Sequence, residues 1–416
     1  FPAFRGRVLI WASGAAGGLQ TMPHAVPVTR WRWRRQVSGV PNPVSVTRPI
    51  VATTGGPNDK LFVGSSDTPT TGQFMHLRPN GQIYHVGRGP PGAAKFAGAY
   101  VSSVNTPDGG VMTYMNSSGA WSVSHPGRVT TCFGTLGGVG GAVCGFEGNI
   151  LERTQGAIFD SIDAGCPIRE ESALVATWWD RRIVIVTDGT PICAVQSPGE
   201  PPVEPVSTSG SYRRAFALHY RGASYEVLAA GVDGGIWRVV GEPSSEALTW
   251  PGDIVDGIAT SNRSSTIFEP WVYWATADRR VHVAAPTFQN EEVASQLLPD
   301  RLSTTPVLAF GNADDAGSAL FVSRSGAISA YDRQQFTRTW ILEAGDGGIR
   351  GGRVDTDPIM HHYCGQFASL LVPSSGDGSL YSFVLDHVLL STGFWPMGGR
   401  WSDNTFVFSS TGCISD

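Results

Sequence analysis

Ser325-Gly-Ala-Ile-Ser-Ala-Tyr-Asp-Arg-Gln-Gln-Phe-Thr-Arg-Thr-Trp340 is the stretch whose reading decides the fold. Ser325-Gly326 reads as a turn. Ile328 and Ala330 follow one residue apart, the spacing of a half-buried strand, because side chains alternate faces with period two. Just before the turn, Ala319-Leu-Phe-Val-Ser-Arg324 reads as a second strand, so the unit is a hairpin. Working outward, the same unit recurs. Turns of this kind stand at Asn80-Gly81, Ser118-Gly119, Glu147-Gly148, Asp188-Gly189, Asp233-Gly234, Asp278-Arg279 and Asp377-Gly378. Each is read as leading into the third strand of a unit. They recur roughly every 30 to 50 residues, the interval from Gly119 to Gly148 being the shortest.

Strands precede most turns: Lys60–Ser65, Arg182–Thr187, Trp271–Thr276 and Ser369–Ser374. Three strands plus a closing one at this period are the signature of propeller blades. No segment longer than two turns carries helical spacing. The expected fold is therefore all-β, a single β-propeller of eight four-stranded blades, with seven left open. Residues 1–26 are expected to hold a strand, Arg7–Ala12, and a Gly-rich connector. Residues 27–416 form the propeller. Ring closure needs strands from both ends of the chain in one blade, and Arg7–Ala12 or Arg30–Val37 pairing with a strand at 400–410 supplies it.

Composition agrees. The 416 residues include 52 Gly and 28 Pro, yet also 13 Trp and 19 Phe, which excludes a disordered chain. Net charge is −5, too mild for a field built around nucleic acid. No apolar run is long enough for a membrane-spanning helix. Six cysteines occur without a C-x-x-C pair, so disulfides are the expectation, with Cys364 and Cys413 paired in the last blade. Asn116-Ser-Ser and Asn262-Arg-Ser are glycosylation sequons. Together these point to an extracellular, lumenal or envelope compartment.

The repeat is similar to that of the pyrroloquinoline-quinone-like (quinoprotein) β-propellers. Thr305-Pro-Val-Leu-Ala-Phe310, then Ala319 to Asp332, then Trp340 reproduce it in order. Ala330, Asp332 and Trp340 match the family's tryptophan-docking positions, while Gln335, Phe336 and Thr337 depart from it. The resemblance implies that Trp340 clamps neighbouring blades. It also implies that members without enzymatic activity serve as subunits of larger assemblies.

The quinone-dependent dehydrogenases of that family look different at their sites, holding a Ca²⁺ and a disulfide between adjacent cysteines. This chain has no adjacent cysteines and no matching acidic motif. His361-His362 alternate faces on a strand and do not share an ion readily. Asp314-Asp315 and the pair Asp355 and Asp357 lack an EF-hand spacing. Neither an S-x-D-x-G-x-x-W box nor G-x-S-x-G is present. No catalytic residue, cofactor or metal is expected.

What remains is binding. Thr29 to Arg35 reads as a strand with Trp31 and Trp33 on one face and Arg30, Arg32 and Arg34 on the other. With Trp395 and Trp401, these arginines are the expected partner contacts. Phe62, Tyr84, Trp121, Trp237, Trp271, Tyr273, Trp274 and Tyr381 are assigned to packing between blades. The reading is a non-enzymatic, protein-binding scaffold within a larger assembly. A carbohydrate-binding propeller is the alternative, with glycan as its partner, and a quinone-dependent dehydrogenase the third.

Overall fold

The computed structural model describes residues 30–385, apart from connecting segments of which the longest is 197–211. The expected features at 1–26, Asp314-Asp315, Cys364, Trp395, 400–410, Trp401 and Cys413 lie outside the described residues. Within them are strands, turns and bends, and no helix.

The strands form eight antiparallel sheets, six of them four-stranded. We number them in chain order, ending with the sheet that the N-terminal strand joins. Sheet 1 runs from Ser45–Val46 and Ile50–Ala52 through Lys60–Ser66 and Gly72–Leu77 to Ile83–Gly89. Sheets 2 to 6 cover 94–125, 129–163, 173–196, 212–248 and 255–297. Sheet 7 holds Val307–Ala309, Ser318–Val322, Ile328–Asp332 and Arg338–Leu342. Sheet 8 holds Ile359–Tyr363, Phe367–Ser374 and Ser379–Leu385, and its fourth strand is Arg30–Gln36. Both ends of the described chain thus share one sheet. The partner of Arg30–Gln36 is Ser379–Leu385, not the 400–410 segment. Ser379–Leu385 follows the Asp377-Gly378 turn directly, so its free edge is already in place.

Each sheet packs on the next in chain order, and Ser45–Val46 of sheet 1 lies against Phe367–Ser374 of sheet 8. Val46 N–H donates to Ser375 Oγ at 3.0 Å, and Thr356 Oγ1 donates to Val46 O at 2.7 Å. The cores sit between sheets. One joins Val307, Leu320 and Ile328 of sheet 7 to Met360, Leu370 and Phe383 of sheet 8. Another joins Leu371 and Leu380 of sheet 8 to Leu61, Val63 and Leu77 of sheet 1. Sheets covered on both faces bury every position of a central strand. Ile328, Ser329, Ala330 and Tyr331 are all buried, where half-burial was expected from spacing alone.

Hairpin position also differs from the expected one in two sheets. Glu147-Gly148, Asp278-Arg279, Ser325-Gly326 and Asp377-Gly378 do join second to third strands. Asn80-Gly81 and Ser118-Gly119 join third to fourth instead. The second-to-third connections of sheets 1 and 2 lie at 67–71 and 107–108. Taken from there, the early intervals become about 40 residues each. The short Gly119–Gly148 interval was a comparison of unlike turns.

A disulfide links Cys132 and Cys144, directly opposite each other on neighbouring strands of sheet 3. Both are buried against Met112 and Tyr114 of sheet 2.

Candidate interaction surface

The surface is built on the outer hairpin of sheet 1. Gly72-Gln-Phe-Met-His-Leu77 alternates cleanly. Gln73, Met75 and Leu77 are buried towards sheet 8, and Phe74 and His76 point to the other face. The turn closes with Arg78 N–H donating to Gln82 O at 2.8 Å and Gly81 N–H to Arg78 O at 2.8 Å. Gly81 takes φ +81, and a Cβ there would fall 2.6 Å from the Trp33 ring. Only glycine fits both demands. Arg35 Nε donates to Gly81 O at 2.5 Å. The N-terminal strand, although a member of sheet 8, therefore grips the turn of this hairpin.

In the outer strand Ile83–Gly89, the four successive residues Ile83 to Val86 are all exposed. Ile83 is 46% exposed, Tyr84 68% and Val86 41%. Tyr84 was assigned to packing; the structure places it in solvent. A bulge explains the change. Leu77 pairs with Ile83 and His76 with His85, so Tyr84 is an extra residue in the ladder. Its ring is re-aimed over His76, with centroids 4.7 Å apart. His76 stacks in turn on Phe62 at 4.8 Å. A row of Phe62, His76 and Tyr84 thus crosses one face of the sheet and ends at its rim. Beside it, Phe74 lies over Gly87, where a Cβ would come within 2.2 Å of the ring.

The outer strand of sheet 2 differs. In Gly119–His125 the exposed positions Ala120, Ser122 and Ser124 are small and alternate with packed Trp121, Val123 and His125. His125 donates or accepts at Glu152, 2.9 Å away across sheets 2 and 3. Such buried polar groups hold sheets together.

Arg34 is similarly engaged inside the fold. A bulge between Trp31 and Trp33 breaks the alternation, placing Trp31 opposite Phe383 and Trp33 opposite Ser382. Arg34 pairs with Tyr381, and its guanidinium lies 5.6 Å from that ring centroid. It donates to Asp377 at 3.0 Å and to Ser379 Oγ at 3.1 Å. Tyr381 OH donates to the same carboxylate oxygen of Asp377. Burial, with that hydrogen bond second, pushes the Tyr381 phenol up to about 12. Arg30 and Arg32 lie on the same strand; their side chains fall outside the described residues, as does that of Trp340, which pairs with Ala330.

Asn116 and Asn262 end their strands, opposite Gly119 and Pro270. Asp355 accepts from Ser375 Oγ at 2.5 Å and Asp357 from the Thr305 amide at 2.8 Å. These two carboxylates tie connectors to neighbouring strands. His361 and His362 are successive positions of one strand. No three His, Cys, Asp or Glu side chains converge among the described residues.

No protein-family model and no curated protein sequence matches the chain. Solved structures do. Sqt1 of Saccharomyces cerevisiae superimposes with a TM-score of 0.59 at 10% identity, over 84% of this chain and 98% of that one. BBS1N, crystallised in complex with ARL6DN, gives 0.50 at 14% identity over 86% and 97%. The computationally designed protein Ika8 gives 0.52 at 14% identity over 85% and 100%. These likenesses define the class: an all-β chain of the β-propeller kind.

Proposed function

We propose that the eight sheets close into a single eight-bladed propeller that binds protein without catalysis, as a subunit of a larger assembly. The contact of sheet 8 with sheet 1, and the N-terminal strand within sheet 8, support the closed ring. The repeat at Ser325–Trp340 supports a quinoprotein-like origin for it. The observation that carries the binding role is the outer strand Ile83–Val86, whose apolar and aromatic side chains stand in solvent on a hairpin held at its turn. Exposed apolar side chains gathered on one element mark interaction sites. BBS1N, of similar fold, is itself crystallised with a protein partner. The Cys132–Cys144 bond supports an oxidising compartment, extracellular, lumenal or envelope.

Cross-linking the protein in extracts of its native source, followed by mapping of the cross-linked peptides, tests this reading. The expected species is heavier than the 44.2 kDa chain, with cross-links concentrated at 72–89. A monomer that reduces dye when given quinone and Ca²⁺ overturns it. The exposed Tyr84 ring also favours a second reading, stacking on a sugar ring, which a glycan array separates from the first.

A further inference from the structure

We propose that the free edge of Ile83–Gly89 receives an acidic, extended segment of a partner protein, which adds a strand to sheet 1. This rests on the protein-binding reading above and names the chemistry of the partner.

Three observations converge. The first is topological. Ile83–Gly89 ends its sheet, so along its outer side the ladder's donors and acceptors have no strand to meet among the described residues. Strand addition uses such an edge, taking affinity from the main chain and specificity from alternate side chains.

The second is the lack of protection. Outer strands are commonly blunted by charge, proline, burial or a bulge; here the bulge at Tyr84 lies at one end and leaves 85–89 in regular register. Here Ile83, Tyr84, His85 and Val86 are all exposed, and Arg88 is the strand's one charged residue. Gly87 and Gly89 carry no side chain to hold a second backbone away.

The third is charge. From Thr68 to Pro107 the sequence contains no Asp or Glu, although the chain averages one in about twelve. The same stretch holds Arg78, Arg88 and Lys95, with His76 and His85. A chain of net charge −5 thus carries no acid within the hairpin or in the stretch that follows it up to Pro107. Arg78 and Arg88 are exposed at the two ends of that hairpin. An acidic segment laid along the strand meets cations at both ends, and a second copy of this chain meets like charge there.

The test uses the full chain and a fluorescent peptide of about ten residues, long enough for one strand, alternating Glu with Thr and Val. Anisotropy is read for this peptide, for its Lys counterpart, and for a Glu peptide interrupted by proline. The proposal expects the Glu peptide to bind at least tenfold more tightly than either control. It further expects Arg88→Glu to weaken that binding at least tenfold while leaving the melting temperature unchanged. Amides of 83–88 should gain protection from hydrogen exchange when the peptide is present.

Equal binding of the Glu and Lys peptides overturns the charge argument. Equal binding of the proline-interrupted peptide overturns strand addition, and so does peptide binding that leaves 83–88 unprotected. Concentration-dependent dimerisation abolished by Arg88→Glu would replace the partner with a second copy. If the Glu peptide fails while native cross-links still map to 72–89, the acidic strand is wrong and the protein-binding reading stands. If those cross-links map elsewhere, the reading beneath it has failed.

Discussion

At the scale of single residues, period two is a good guide until a bulge intervenes. Tyr84 and Arg32 both sit where one strand carries a residue its partner lacks. Beyond such a point every side chain changes face. Tyr84, expected in the packing between blades with the other large aromatics, is therefore exposed at the rim. Tyr273, Trp274 and Tyr381, on strands covered on both faces, are buried as their bulk implies. Tyr381 gives a prediction with a definite sign. Its phenol is held neutral up to about pH 12 in the fold, whereas in the unfolded chain it ionises near the ordinary value of 10.0. Its full contribution to stability is present below pH 10 and is lost as pH rises towards 12. The loss is about 1.4 kcal/mol per pH unit over that window. Urea titrations between pH 9 and 11.5 should show this slope in the native protein and a shallower one in Tyr381→Phe. Equal slopes would mean that Tyr381 is not the group responsible.

At the scale of elements, a glycine turn between two apolar runs announces a hairpin but not which hairpin of the sheet it is. Asn80-Gly81 and Asp377-Gly378 look alike in sequence, yet one lies at the rim of its sheet and the other between central strands. What separates them is contact far along the chain. Trp33 and Arg35 press on Gly81, while Val37 and Ser38 donate their amides to Gly378 O. No local pattern reports such contacts. Gly81→Val should therefore cost roughly 2 kcal/mol or more, from positive φ and from collision with the Trp33 ring. Hydrogen exchange should show protection falling together in 30–36 and 72–89. Loss confined to 72–89 would mean that the N-terminal strand does not brace the hairpin. The same geometry leaves the proposed docking strand already formed before any partner arrives.

At the scale of the whole molecule the sequence was most informative. The repeat period, the absence of helical spacing and the Ser325–Trp340 unit led to an all-β propeller, and the solved structures of similar fold agree. The proposed interaction surface is not legible in the sequence, because it depends on what a strand lacks. Arg34 looked like a contact by composition, but it is spent on Asp377 and Tyr381. The exposed outer strand looked like ordinary packing. Its acid-free surroundings are visible in the sequence, and gain meaning only once the edge is placed. The proposed closure likewise depends on a pairing between residues more than 340 positions apart.

That pairing offers the most direct test of the account. Gln36 and Ser379 are opposite partners in sheet 8, within the usual reach of a disulfide. In the Gln36→Cys, Ser379→Cys protein, mild oxidation should link the two positions within one chain, as read by peptide mass mapping. The link should form in the folded protein and fail to form in urea. Both thiols remaining free in the folded protein, or linked only between chains, would contradict a ring closed by its own N-terminal strand.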